Sequence, residues 1–480
     1  MTGDRNSVAS NAAALLVSRV LRMAVSLGVA LLLARHLGPK LYGDWTVANS
    51  LCALAAVWLS LGMEKIAIRA AVRDPASSGR YFGAVFCLRI LAFPFYLAVI
   101  LSVGLVMGWS GRLIPVLAVL AGVYFLNTLG EAGVIAWRSR ERMWYEAAVG
   151  AGKDLLLLGM VLLLTVRGAD LIEFAGGYLA VALVWLAGTL ILIYLIFFSP
   201  RPVWDLRLFR FLVLSGFPVA VAVFCNGFQD LSRVLIEHLL GPRAAGYFGA
   251  AGLPLKGLEI LAVSLMGAIF PGLSRQGRGG GDDALVLAAK AGKLFFLAGL
   301  PFVFVSMMLS PRIMGVLFGE DYLPGAGVLA VLGSSSLFLL LNHLCYGMMV
   351  ATGRERLFAV IMFAAAAANA LLVCILVSLW GMMGGAWAFF LVQMAVLAAF
   401  LRILGPRFRR AVLPRERGRL LAAAAAAAGV VWVLKLAGLG LWAAAGAGTV
   451  VYLSAAAVSG ALDKELLRAA ALVRNLKGKR

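Results

Sequence analysis

The sequence predicts an all-α polytopic membrane protein with about fourteen transmembrane helices. Two parallel six-helix bundles are expected around a central cleft, followed by two further helices. Three observations predict this. Of 480 residues, 63% are hydrophobic and 14% charged, with a mean hydropathy of +0.97; soluble domains run near half apolar and about a quarter charged. Apolar stretches about 20 residues long, the length that crosses ~30 Å of hydrocarbon, recur along the whole chain. Finally, two short motifs recur in register with a six-helix unit.

Taken in order, spans are expected at 8–34, 42–62, 81–107, 113–136, 147–166, 174–198, 212–240, 244–271, 291–311, 323–350, 357–380, 384–401, 420–438 and 440–460. The first eleven residues are polar, and the first span lacks a short apolar core with a small-residue cleavage site, so it reads as a helix and not a signal peptide. A Gly-Pro turn ends it within ARHLGPKLYGDW (34–45), which aligns without gaps to EHLLGPRAAGYF (237–248) between spans seven and eight. RERM (140–143) between spans four and five is echoed by RERL (354–357) between spans ten and eleven. An even-numbered repeat starts both halves on the same side, giving parallel bundles over 1–205 and 206–405. The remainder, 406–480, holds a basic loop, the last two helices with the Ala-rich run 422–428, and a basic tail.

The net charge of +21 is distributed as the positive-inside rule requires if both termini are cytoplasmic. The basic runs at 402–419 and 475–480 are then juxtamembrane charges facing anionic lipid, and nucleic acid is not needed to explain them. Cys52, Cys87, Cys225, Cys345 and Cys374 fall within spans without metal-type spacing and read as packing residues. His36, His238 and His343 lack a paired ligand, so neither a metal nor a cofactor is expected. The glycines of SRQGRGGGDD (274–283) lack the Lys-Ser/Thr of a phosphate loop. Trp109, Trp137, Trp144, Trp204 and Trp380 read as interfacial anchors.

Charges within spans carry the functional reading. The stretch LLVSRVLRMAVSLGVALLL (15–33) is too short beyond Arg22 to cross a bilayer, so its span runs back through Arg22 and Arg19. That expectation puts Arg22 near the midplane, where an Arg costs at least ~2.5 kcal/mol unless it meets water, protein or an anion. The other in-span charges are Arg89, Glu131, Lys153, Asp154, Asp230, Arg233, Lys256 and Glu259. Asp230 with Arg233, and Lys256 with Glu259, have the i, i+3 spacing of local ion pairs. Arg89, Glu131, Lys153 and Asp154 project to one end of their helices and can form an ionic cluster or gate. The sum leaves surplus positive charge in the first half, suited to a phosphate or pyrophosphate head.

Four stretches resemble the oligosaccharide (polysaccharide) flippases of the multidrug/oligosaccharidyl-lipid/polysaccharide exporter superfamily. They are 11–45 with its LGP turn, DLSRVLIEHLLGPRAAGYFGAA (230–251), FPGLSR (270–275) and IMGVLFGEDYLPGAGVLAVLG (313–333). The resemblance implies alternating-access export of a polyprenyl-(pyro)phosphate-linked oligosaccharide across the bacterial inner membrane, not an enzyme. Arg19, Arg22 and Arg89 are the expected phosphate ligands. The carboxylates and their basic neighbours are the candidates for H+ or Na+ coupling or gating, with membrane lipids and glycan-assembly proteins as further partners. The alternatives are a membrane-embedded glycan polymerase or ligase, and a multidrug or cation antiporter of the same superfamily. The outer loops are short with scattered acids, which disfavours the first, and helix 1 has no carboxylate, which disfavours the second.

Overall fold

The computed structural model describes residues 3–458 except 110, 112, 278–281, 414–416 and 437–439. Side chains are described from Arg22 onward, with scattered exceptions in 218–283 and 417–458 and at 355. The described secondary structure is helical: α1 (Gly3–Ser60), α2 (Met63–Arg73), α3 (Ser78–Val106), α4 (Leu113–Glu131), α5 (Val134–Ser139), α6 (Met143–Val166), α7 (Leu171–Ile196), α8 (Leu206–Asn226) and α9 (Phe228–Leu240). These are followed by α10 (Pro242–Gly277), α11 (Asp282–Phe318), α12 (Ala326–Ser334), α13 (Ser336–Ala351), α14 (Glu355–Trp380), α15 (Met382–Val412), α16 (Arg417–Leu436) and α17 (Leu441–Val458).

Among the described residues ten helical stretches are long and apolar enough to cross a membrane, and two shorter apolar helices follow at Gly418–Leu434 and Ala445–Ala455. The first stretch, Arg22–Arg73, holds the second expected span and the part of the first from Arg22 onward, because α1 runs through the Gly-Pro turn as a kink. At that kink Gly38 has φ 69° and ψ 173°. Gly241 (φ 86°, ψ 173°) repeats it between α9 and α10, and Gly405 (φ 90°, ψ 173°) repeats it inside α15. A Cβ disfavours this backbone, and the proline that follows each glycine restarts a helix at the position where its missing N–H costs nothing.

Three expected spans are broken, the fourth of them between Glu131 at the end of α4 and Val134 at the start of α5. The seventh divides at Gly227, where an added Cβ would come 2.8 Å from Leu54 Cδ2, so the glycine admits α1 at close range. The tenth divides at Ser335, whose hydroxyl donates to the Leu332 carbonyl at 2.6 Å and competes with the helical bond there. The segment after the second span, expected as a loop, forms α2. It buries Met63, Ala67 and Ala71 at four-residue spacing and keeps Lys65, Arg69 and Arg73 outside.

The chain divides into two compact units: unit 1 is Met1–Leu253 with Met362–Gly385, and unit 2 is Pro254–Ile361 with Ala386–Arg480. One end of unit 1 is consolidated by a core of α2, α3, α5 and α8 around Phe82, Trp137, Ile135 and Leu212. In unit 2, α16 and α17 pack on α11, with Val431 against Leu309, and the Tyr452 hydroxyl donates to the Phe296 carbonyl at 3.3 Å.

Cys52, Cys87 and Cys345 are buried as expected, Cys374 is exposed, and Cys225 lies outside the described side chains. Trp144, Trp204 and Trp380 are exposed, whereas Trp109 and Trp137 are buried and serve other roles.

Candidate functional site

A cavity of about 340 Å³ opens in unit 1 where α1, α2, α4, α5, α6 and α7 converge. Its lining carries Arg22, Lys65, Arg138 and Lys153 against Glu64, Glu131, Glu146 and Asp154, with Trp137 and Trp185 between them. Three of the sequence-predicted gating residues, Glu131, Lys153 and Asp154, are thus brought together with Arg22. About 24 Å of helix separates Arg22 from Gly38.

Each charge is held by a specific neighbour. The Arg22 guanidinium lies against Gly150 of α6, where a Cβ would come 2.9 Å from NH1 and 3.0 Å from Cζ. Its Nε is 3.9 Å from Asp154 Oδ2, one turn further along α6, and its side chain is 36% exposed. Lys153 Nζ donates to Asn127 Oδ1 at 2.7 Å and stands 4.2 Å from the centre of the Trp185 ring. Arg138 clasps Glu146 with two bonds, Nε to Oε2 at 2.9 Å and NH2 to Oε1 at 2.8 Å, the fork geometry of a strong pair. The indole nitrogens of Trp137 and Trp185 and the atoms Glu64 Oε1 and Asp154 Oδ2 are buried without a hydrogen-bond partner.

Among the described residues the lining holds four acids and four bases. Two of the four acids escaped the sequence tally: Glu64 opens α2 and Glu146 lies in the first turn of α6. Both sit outside the apolar windows from which in-span charges are counted. The spacing of Met63, Ala67 and Ala71 was the available signal for α2, and hence for Glu64.

Arg89 does not join the cavity lining. It is fully buried, donates to the Thr128 carbonyl and lies 3.8 Å from Glu64 Oε2, so it supports an acid of the site from behind. The Arg19 side chain lies outside the described residues. Asp230 accepts from Arg233 on α9 as the spacing predicts, and the Ser50 hydroxyl joins both, donating to Asp230 at 3.2 Å and accepting from Arg233 at 3.3 Å. Lys256 and Glu259 belong to unit 2, where Glu259 Oε1 is 3.9 Å from His343 Nε2. Among the described residues no group of three or more His, Cys, Asp or Glu side chains is arranged to hold a metal.

Residues 8–276 match the family profile described as polysaccharide biosynthesis protein, and residues 249–453 match that of lipid II flippase MurJ. No curated protein sequence matches the chain. Among solved structures, the fold is similar to a lipid II flippase MurJ in an inward closed conformation (TM-score 0.73, 12% identity, 92% of this chain and 98% of the other). It is also similar to an inward-facing multidrug resistance MATE transporter of the MOP superfamily (0.63, 14%, 83% and 98%). A MOP superfamily transporter from Pyrococcus furiosus aligns as well (0.57, 14%, 84% and 96%). At these identities the structures establish a shared all-α transporter fold.

Proposed function

Because this chain belongs to the polysaccharide biosynthesis protein family, we propose that it is a flippase. Its substrate is a polyprenyl-(pyro)phosphate-linked oligosaccharide, moved across the bacterial inner membrane by alternating access. The MurJ profile over 249–453 supports flipping over glycan polymerisation or ligation. The fold is shared with multidrug transporters, so the substrate class rests on the family and on one observation, the seating of Arg22.

That guanidinium is laid flat on a glycine, paired with Asp154 by a single long contact, and more than one-third exposed to the cavity. A phosphoryl group offers two oxygens to the guanidinium fork and so outcompetes a carboxylate that reaches one nitrogen at 3.9 Å. The head group then takes the place of Asp154 beside Arg22, with Arg19 one turn earlier on the same helix as a second ligand. Arg89 offsets Glu64 from behind. The exchange loosens the contact between α1 and α6 and couples loading to the ionic cluster. Coupling to H+ or Na+ is assigned to Glu131 and Asp154, since Asp230 already has Arg233 beside it.

In this reading both termini are cytoplasmic and the halves 1–205 and 206–405 are the moving bodies. Glycan-assembly proteins deliver the substrate and take up the product. The test is export by cells and by proteoliposomes. Arg22→Ala should abolish flipping at native protein level, and Arg22→Lys should restore part of it, because a point charge replaces the fork. Normal surface glycan with Arg22→Ala in the membrane overturns the assignment.

A further inference from the structure

Two titratable side chains of unit 2 meet inside the spans and take no part in the function proposed above. Glu259 stands on α10, within the apolar stretch Pro242–Gly267, and His343 on α13, within Glu320–Ala351. Further along both helices, Gly347 of α13 makes room for the end of the Met266 side chain of α10, which keeps the two helices together. The Glu259 side chain is 41% exposed and that of His343 23%. Ionisable groups this exposed within a span face a water-filled path and not hydrocarbon, where they would be costly.

A neighbour fixes the hydrogen on the imidazole. His343 Nδ1 lies 2.9 Å from the Leu339 carbonyl oxygen, one turn back on α13. A carbonyl only accepts, so Nδ1 carries the hydrogen and donates it. Nε2 of the neutral ring is then an acceptor, and it faces Glu259 Oε1 at 3.9 Å. A charged ring would donate to the carboxylate and draw it to about 2.8 Å, so the spacing belongs to the neutral form. Neither side chain has a further polar partner among the described residues. Two ligands are too few for a zinc site, and among the described residues no third His, Cys, Asp or Glu joins them. What remains is two acceptors side by side, open to water and without donors. Adjacent hydroxyls on a sugar ring offer one hydrogen to each. The geometry points to a glycan subsite on unit 2, where Glu259 and His343 accept hydrogen bonds from neighbouring hydroxyls of one sugar of the cargo. This inference rests on the oligosaccharide part of the function proposed above, and not on the role of Arg22.

The test reads the imidazole directly. The full chain, carrying isotope-labelled histidine, is placed in lipid nanodiscs and followed by nitrogen NMR at neutral pH. It has three histidines, so the His343 signals are assigned by their loss in His343→Gln. Methyl glucoside, methyl galactoside and methyl mannoside are then titrated separately. Before addition the ring should be neutral with its hydrogen on Nδ1, and at least one glycoside should shift the Nε2 signal saturably. Glu259→Gln should weaken that binding about tenfold, because its amide can donate to Nε2 and close the pair on itself. In the unaltered chain, a deoxy analogue lacking one of the two hydroxyls should bind as weakly, a result that stands whether or not the variant inserts. A charged ring at neutral pH overturns the subsite, as does the absence of a shift with every glycoside. Binding that survives Glu259→Gln, or loss of any single hydroxyl, at full strength overturns it as well. Arg22→Ala should leave the titration unaltered, since these probes carry no phosphate, so the two proposals fail separately.

Discussion

The polar interiors of the two units are built from different chemistry. In unit 1, eight charged side chains line one cavity, and most are held by single contacts or by a partner on another helix. In unit 2, Asn342 of α13 and Gln393 of α15 form a neutral, buried amide pair: Asn342 Nδ2 donates to the Gln393 side-chain oxygen at 2.7 Å and to its backbone oxygen at 3.0 Å. In the proposed function the ionic cluster exchanges partners when a charged head arrives, because charge-assisted bonds compete directly with one another. The amide pair has no charge to exchange and fixes the register of two helices.

Four substitutions test that division, the largest effect first. Arg22→Ala should eliminate flipping while the unfolding temperature stays near that of the wild type, the signature of a ligand contact. If instead stability falls and residual transport survives, the site is a structural bridge. Gly150→Ala should raise the substrate concentration needed for half-maximal flipping by about tenfold, as the methyl displaces a guanidinium worth roughly 1.4 kcal/mol of phosphate contact. Unaltered kinetics would show that Arg22 is not seated by the glycine.

Asn342→Ala should do the reverse. It leaves Gln393 without its partner and lowers stability by about 1–3 kcal/mol, measured as a lower unfolding midpoint, with affinity for the lipid head unchanged. A loss of affinity without a loss of stability would move the recognition site into unit 2.

The smallest effect lies outside the spans. Asp205 accepts from Arg80 at 2.5 Å and caps α8 through Leu208 N–H at 3.1 Å and Arg207 N–H at 3.0 Å. The Arg80 bond first, and the cap second, hold its carboxyl below the ordinary aspartate range. A carboxyl depressed in the folded state stabilises above the unfolded pKa, and that contribution fades as pH falls through the folded one. The difference in unfolding midpoint between wild type and Asp205→Asn should therefore be constant near neutrality and shrink below about pH 4. A difference independent of pH would show that only the neutral cap matters.

What the sequence disclosed follows from which forces are local. The Gly-Pro turns were legible because backbone conformation and a missing N–H are properties of the residues themselves. The i, i+3 pairing of Asp230 with Arg233 was legible for the same reason. The breaks at Gly227 and Ser335 were not, since one depends on the approach of Leu54 from α1 and the other on a hydroxyl choosing the Leu332 carbonyl. Arg89 illustrates the same limit: its spacing placed it in a span, but its bond to Thr128 and its proximity to Glu64 are tertiary facts. The RER echo carried more than its letters. Arg140 and Arg142 each stand over Phe197, the C-cap of α7, at 5.9 and 6.0 Å, while Arg354 donates to the Ile403 carbonyl near the Gly405 kink at 2.7 Å. In both copies the turn secures the end of a helix.

The bond from Tyr452 to the Phe296 carbonyl has a consequence for biosynthesis. Helix α11 is covered on one flank by α16 and α17, which are synthesised about a hundred residues after it. A chain truncated before α16 would leave that flank of α11, with Leu309 on it, uncovered.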